Sequence, residues 1–357
     1  MLMPDLPQLG LNPRLQKEFE SLDIDFPSIA RVIKEHKELY EIQNDVGIFK
    51  AEITGNMRFM AESRRDYPAV GDWVEVTVFD DNQAIIHRIL PRFSLLERQS
   101  VGTYSEKQLI ATNIDKAFIV QSVDRDFNLN RLDRYFVIAH NGDIIPVILL
   151  NKVDLISKRE LEVIKQKVTE RLPDALVFMT STITGDGLQE LMNFLQRGET
   201  YCFLGSSGVG KTSIINYLAG EDKLYTKEIS DATKKGKHAT TRRELLLLDN
   251  GSILIDTPGM REIGMTESGH GLEITFNQIV ELAKECKFTD CSHTDEPGCK
   301  ILEAIEAGLV SDQELLNYKK LERQSMRFSE SIAEKRKKDK SFGKMIKEIM
   351  KTKKKNK

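Results

Sequence analysis

The run YCFLGSSGVGKTS, Tyr201 to Ser213, constrains this chain more than any other stretch. An apolar segment of strand character leads into Gly205-Ser206-Ser207-Gly208-Val209-Gly210-Lys211-Thr212, and the helical pattern Ile214-Ile215-Asn216-Tyr217-Leu218 follows. The order G-x-x-x-x-G-K-[ST] between a strand and a helix lets main-chain N–H groups converge on phosphate oxygens, with the helix N-terminus adding partial positive charge. Glycine supplies the tight curl that this close approach needs. Lys211 is expected to reach the outer phosphates and Thr212 to ligate Mg²⁺, with Ser213 completing the contacting run. An ordinary glycine-rich turn before a helix is the bland alternative.

A second signature lies upstream. Ile114 to Val123 reads as a buried strand, Leu132 to His140 as a helix and Ile144 to Leu150 as another buried strand, a βαβ unit. Asn151-Lys152-Val153-Asp154 stands at the end of that second strand, where α/β proteins bind ligands. A carboxylate at Asp154 accepts from both N1–H and the 2-amino group of guanine. Adenine offers neither donor, and such a mismatch discriminates by about 10⁴ or more at a buried polar site. Asn151 is expected to hold the loop and approach the base edge, with the Lys152 stem along the ring. Thr180 to Gly187, after the strand ALVFM, is a small-residue loop where N–H groups near Ser181 and Thr182 would meet the guanine carbonyl oxygen.

Beyond the phosphate loop, SDATKKGKHATTRRE has the composition of a mobile switch in which Thr240 or Thr241 swings onto Mg²⁺. Two strand candidates, Glu244 to Leu248 and Ser252 to Ile255, then end in Asp256-Thr257-Pro258-Gly259-Met260. In that D-x-x-G pattern Asp256 would hold the Mg²⁺ shell and the Gly259 N–H would sense the γ-phosphate.

These elements occur in rotated order, because Asn151 precedes Gly205 by 54 residues whereas Ras-like GTPases place the guanine motif after the phosphate loop. Circular permutation preserves the site, since each strand still delivers its loop to the same sheet edge. It also runs Asp256 to Met260 straight into the C-terminal region.

The remainder of the 357-residue chain has room for further domains. Residues 1–27 read as an extension, with a helix starting at Asn12-Pro13 and carrying Leu15, Phe19 and Leu22 on a face that docks on a neighbouring domain. From Ser28 to about Leu90, IARVIKEHKELYEI, GIFKAEI, VGDWVEVTVFD and AIIHRIL suggest a small all-β barrel with Trp73 in its core. Arg58, Arg64 and Arg65 lie between its strands, where RNA contact and a solvated hairpin remain alternatives. PRFSLLERQSVGTYSEKQ reads as a linker.

Cys286-x4-Cys291-x-His293-x5-Cys299 supplies three thiolates and an imidazole, the complement of a closed, structural tetrahedral Zn²⁺ site. Clustering of this kind favours metal over disulfides, and hence a reducing compartment. Cys202 reads as core. The net charge of −3 conceals +9 on residues 331–357 and −12 elsewhere, so an anionic partner is expected near the C-terminus. No signal-peptide pattern opens the chain, and its apolar runs are too short to span a membrane.

The rotated order, the preceding barrel and the Cys286, Cys291, His293, Cys299 cluster together resemble the circularly permuted bacterial GTPases called ribosome small subunit-dependent GTPase A, over roughly Ser28 to Gln324. The resemblance implies an OB-type barrel over 28–96, a permuted Ras-like α/β P-loop GTPase domain over 97–277, a helical zinc-binding domain over 278–325 and a basic helical tail over 326–357. It also implies a cytoplasmic enzyme that hydrolyses GTP to GDP with Mg²⁺, is stimulated by the small ribosomal subunit and its rRNA late in assembly, and carries one structural Zn²⁺. Nothing in the sequence requires more than a monomer. The family's switch histidine maps onto His238 in GKHATT, giving Lys211, His238 and Thr241 as the catalytic set. Ala239 replaces the usual threonine, so Thr240 and Thr241 both stay candidates for the metal contact. Met260 stands where many GTPases place a water-orienting glutamine, which implies slow unassisted turnover. An RNA-binding scaffold with a structural nucleotide and a P-loop ATPase are the competing functions.

Overall fold

The computed structural model describes residues 5–22, 28–36, 39–80, 82–99, 107–124, 126–220, 243–256 and 269–327. It comprises two compact units, one of residues 1–97 with 109–262 and the other of 98–108 with 263–357.

In the first unit, α1 (Pro13–Ser21) begins where the Asn12 side chain accepts from the Leu15 N–H and Pro13 needs no partner for a missing donor. Leu15 and Phe19 bury beside Leu9, Trp73 and Leu90, as expected for a docked extension. Leu22 does not join them; it follows the last helical turn as the C-cap and is 40% exposed.

Five strands form the barrel: β1 (Ile29–His36), β2 (Leu39–Gln43), β3 (Ile48–Ile53), β4 (Trp73–Asp80) and β5 (Gln83–Ile89). Their order is β1-β2-β3-β5-β4, and β4 returns to pair with β1. The β3–β5 ladder is parallel and the others are antiparallel, which closes an OB-type barrel. Alternation in β3 turns Phe49, Ala51 and Ile53 inward, against Val32, Ile42, Val74 and Ile86. A short helix, α2 (Gly55–Met60), capped by Thr54, follows β3.

The expected linker is partly structured. Its residues Leu95–Gln99 form β6, which pairs with β7 (Lys107–Thr112). Leu96 within this stretch is buried, and so are Leu109, Ile110 and Ala111 of β7 just beyond its end, so the stretch is anchored rather than free.

The α/β part contains β8 (Lys116–Ser122), α3 (Leu129–Asn141), β9 (Ile145–Asn151), α4 (Lys158–Arg171), β10 (Val177–Thr180), α5 (Leu188–Phe194), β11 (Thr200–Leu204), α6 (Lys211–Ala219), β12 (Arg243–Leu247) and β13 (Ile253–Asp256). Strand order is β10-β9-β8-β11-β13-β12, parallel except for antiparallel β12. The strand before the phosphate loop is therefore central, flanked by β8 and β13. Phe118 stacks on Tyr201 with ring centroids 5.4 Å apart, within a core that includes Val147, Leu149, Phe203 and Ile214. Cys202 is buried there, and desolvation pushes its thiol up to about 12.

The barrel and the α/β sheet share a ladder. β1 pairs antiparallel with β12 through Lys34↔Glu244 and Glu35↔Arg243. Arg31, on β1, is fully buried and donates to the carbonyls of Leu9, Gly71 (3.2 Å) and Asn113 (3.0 Å) and to Thr200 Oγ1 (2.9 Å). Burial lowers its pKa to about 10, against the opposing charges of Asp115 and Asp72. One side chain thus ties the extension, the barrel and β11 together.

The second unit is helical among its described residues beyond 268, with α7 (Gly269–Thr275), α8 (Asn277–Lys284), α9 (Lys300–Glu306) and a helix over residues 312–327. Leu272, Phe276, Ile279, Ile301 and Leu321 are buried, and Phe276 meets Tyr318 edge-on at 5.5 Å.

Candidate nucleotide site and metal centre

The phosphate loop leaves β11 at Gly205 and enters α6 at Lys211. Gly210 precedes α6 at φ +98° and, lacking a side chain, gives the helix no N-cap bond of its own. A Cβ on Gly210 would lie 2.2 Å from Asn151 Nδ2, and one on Gly205 would lie 2.4 Å from the Val120 carbonyl oxygen. The loop is therefore drawn against its neighbours as closely as a phosphate cradle requires. Lys211 Nζ donates to the carbonyls of Gly205 and Ser206, each at 2.6 Å, which holds the ammonium over the loop. Val209 is buried under it, whereas Ser207, Gly208, Thr212 and Ser213 are exposed and Ser206 is half-buried. This donor-lined cradle has the shape and charge that a nucleotide's phosphates need, with the Thr212 side chain exposed on the first turn of α6.

Sheet order brings the loops expected from sequence to the same edge. Asn151 ends β9 and is fully buried; its Nδ2 donates to the Val209 carbonyl at 2.8 Å and its Oδ1 accepts from Thr180 Oγ1 at 3.1 Å. It braces three loops through these bonds. Lys152 adopts the left-handed conformation, φ 65°, and its ammonium lies 3.6 Å from Asp124. Asp154 sits in a short 3₁₀ turn, exposed, and accepts from Ser181 Oγ at 2.5 Å. It does not start the next helix, because Ser157 caps α4 in a capping box with Glu160. The Ser181 hydroxyl also accepts from the N–H groups of Ile183 and Thr184, each at 3.2 Å, and Thr182 stands half-buried beside it. Asp256 ends β13, the strand next to β11.

His238, Thr240, Thr241, Gly259 and Met260, as well as the basic tail, lie outside the described residues. Two neighbours of the site lie outside its sequence motifs. Asp124, after β8, pairs with Lys152, and Tyr135 on α3 is hydrogen-bonded to Ser206. Neither belongs to a short spaced motif, and only the strand order could have signalled them. Of the barrel arginines, Arg65 is paired with Glu97 at 2.5 Å and Arg64 lies over the Tyr67 ring at 5.8 Å.

In the second unit, the candidate ligand atoms of Cys286, Cys291, His293 and Cys299 all lie within 4.8 Å of one another. Cys286 Sγ is 3.9 Å from Cys299 Sγ and 3.7 Å from His293 Nδ1, which is 3.4 Å from Cys299 Sγ. A tetrahedral Zn²⁺ with Zn–S bonds of about 2.3 Å sets its sulfurs about 3.8 Å apart, so the donor set fits that ion. His293 reaches the thiols from a left-handed backbone, φ 53°, and Lys319 Nζ donates to its carbonyl at 2.9 Å. Burial and then the Lys319 charge lower the His293 pKa, favouring the neutral imidazole that binds metal. Glu296 shapes the intervening loop by accepting from the N–H groups of Ser292 (2.7 Å) and Thr294 (2.9 Å), and these bonds hold its carboxyl well below the usual range. Among the described residues no helix is long and apolar enough to cross a membrane.

Comparison with known proteins places these features in context. A family model described as RsgA GTPase matches residues 89–266. The chain is 41% identical over 327 residues to "Small ribosomal subunit biogenesis GTPase RsgA 1" of Bacteroides thetaiotaomicron, covering 91% of each chain. It is 41% identical over 296 residues to "Small ribosomal subunit biogenesis GTPase RsgA 2" of Lactiplantibacillus plantarum, covering 83% of each. The crystal structure of YjeQ from Thermotoga maritima superposes with a TM-score of 0.65 at 26% identity, over 84% of this chain and 98% of that one. YloQ, a circularly permuted GTPase, superposes with a TM-score of 0.61 at 24% identity, over 84% of this chain and 95% of that one.

Proposed function

The chain belongs to the RsgA GTPase family, and we propose that it hydrolyses GTP to GDP and phosphate during late assembly of the small ribosomal subunit, stimulated by that subunit, with hydrolysis promoting release. The observation that carries this reading is the bracing of three loops by Asn151: phosphate loop, guanine loop and the Thr180–Gly187 loop converge through Asn151–Val209, Asn151–Thr180 and Asp154–Ser181.

In this reading Gly205 to Ser213 wrap the phosphates, Lys211 neutralises the outer ones, and Asp154 selects guanine with help from Lys152, Ser181 and Thr182. Thr212, Asp256 and either Thr240 or Thr241 hold Mg²⁺, which stabilises charge on the phosphates when bound. The Gly259 N–H reads the γ-phosphate, and His238 is the candidate for orienting water, a task that the Met260 thioether cannot perform. Cys286, Cys291, His293 and Cys299 hold one structural Zn²⁺. The barrel and the lysine-rich tail contact rRNA, the tail through backbone phosphates.

Steady-state hydrolysis of GTP and ATP, alone and with small or large ribosomal subunits, tests the reading, with Lys211→Ala as control. Slow GTP turnover that small subunits alone accelerate is the expected result. Equal ATP turnover would sink the guanine assignment, and indifference to small subunits would leave an RNA-binding scaffold.

A further inference from the structure

The seam between barrel and GTPase sheet is two register pairs long, and both are charged: Lys34↔Glu244 and Glu35↔Arg243. Lys34 Nζ lies 2.7 Å from Glu244 Oε1, and Arg243 Nη1 lies 3.4 Å from Glu35 Oε2. On its other edge β12 sets Glu244 directly opposite Asp256 of β13. Residues directly opposite in an antiparallel ladder share a face, so Lys34, Glu244 and Asp256 form one row across three strands. Like charges opposite one another are unfavourable, and the Lys34 ammonium offsets the Glu244 carboxylate beside Asp256. The row runs from the barrel, which is the candidate rRNA-binding module, to the candidate Mg²⁺-shell aspartate in two register steps.

We propose that Lys34 is a positioning residue for the RNA-stimulated reaction alone: acting through Glu244 on β12, it transmits the engagement of the barrel by ribosomal RNA to Asp256. Arg31 holds the barrel to β11 on one side, but the β1–β12 ladder is short and has little main-chain bonding of its own, so its side-chain pairs set how β1 sits against β12. β12 itself stays anchored by four register pairs to β13, Glu244↔Asp256 to Leu247↔Ile253. Unstimulated turnover therefore does not depend on the Lys34 pair, whereas the response to RNA does. The inference rests on the subunit-stimulated hydrolysis proposed above.

The test uses the full chain, small ribosomal subunits and GTP, with Lys34→Met, Glu244→Gln, their double variant and the conservative Lys34→Arg. Turnover with and without subunits is compared with co-sedimentation on subunits in a non-hydrolysable GTP analogue. Each single variant is expected to keep basal turnover and co-sedimentation while losing about threefold or more of the stimulation. Lys34→Arg retains it, and the double variant loses no more than either single one, because the two residues act as a unit. Full stimulation of Lys34→Met would overturn the inference. So would additive losses in the double variant, or a loss of stimulation that merely follows a loss of co-sedimentation. A wild-type chain that subunits do not stimulate would overturn the functional reading itself, and this inference with it.

Discussion

Asn151 donates from Nδ2 to the carbonyl oxygen of Val209 at 2.8 Å, joining the end of β9 to a loop 58 residues further along the chain. Replacement by alanine leaves that buried carbonyl and the Thr180 hydroxyl without their partner, a cost of about 1–3 kcal/mol. Titration with fluorescent GTP and GDP should show affinity falling about 5- to 100-fold for both nucleotides alike, since the lost bonds are within the protein. A variant that weakens GTP alone would contradict this role.

Gly210→Ala should be more severe. Its Cβ would stand 2.2 Å from Asn151 Nδ2 at a φ of +98°, so backbone strain and collision coincide. Gly208 shares a positive φ, +83°, but a Cβ there meets open space. Gly208→Ala bears only the left-handed penalty of about 1–2 kcal/mol. The same titration should rank Gly210→Ala below Gly208→Ala by tenfold or more, as an order-of-magnitude figure, with circular dichroism spectra unchanged in both.

Base selection should depend on the bond from Ser181 to Asp154. Ser181→Ala removes that bond and the acceptor for the Ile183 and Thr184 N–H groups, releasing both Asp154 and the loop beside it. Competition of ATP against bound fluorescent GDP should improve about tenfold, and Asp154→Asn should erase most of the remaining preference for guanine. Retained discrimination in Asp154→Asn would remove the base contact from Asp154.

Metal analysis should find one zinc per chain, held by the four donors that lie within 4.8 Å of one another. Chelation, or Cys286→Ser, should melt the helical unit around residues 269–327, because a site of this type contributes on the order of 10 kcal/mol. Glu296→Ala leaves all four ligands but frees the Ser292 and Thr294 N–H groups, so zinc affinity should fall about 10- to 100-fold. Unchanged zinc affinity in Glu296→Ala would argue against that role.

Local signals made much of this molecule legible from its residues. The phosphate loop, Asn151-Lys152-Val153-Asp154 and the cysteine cluster each combine rigid spacing with a definite chemistry, and strand order brings the first two together as permutation requires. Trp73 and Cys202 are core, as their apolar surroundings indicate. What escaped was non-local. β6 hid in an apparent linker because its short apolar pair Leu95-Leu96 gives no strand pattern by itself and its partner β7 comes later in the chain, and Leu22 lost its place on the α1 face because the helix ends one residue earlier. The Lys152–Asp124 pair and the Tyr135 contact with Ser206 follow only from the sheet order, which no short pattern encodes. Arg31 is the extreme case: a lone arginine in a strand pattern reads as surface, yet its four acceptors come from four separated stretches of chain.

That arginine also sets a timetable for synthesis. When residues 1–97 have left the ribosome, the Leu9 and Gly71 carbonyls are available to its guanidinium, but Asn113 and Thr200 are not. A charge buried with half its partners missing costs more than one left in water. Burial of Arg31, and with it the docking of the extension, must therefore wait until β11 emerges, while the guanidinium stays hydrated. The extension around α1, made long before β11, is among the last parts to settle, and it settles as the phosphate loop itself is being threaded out.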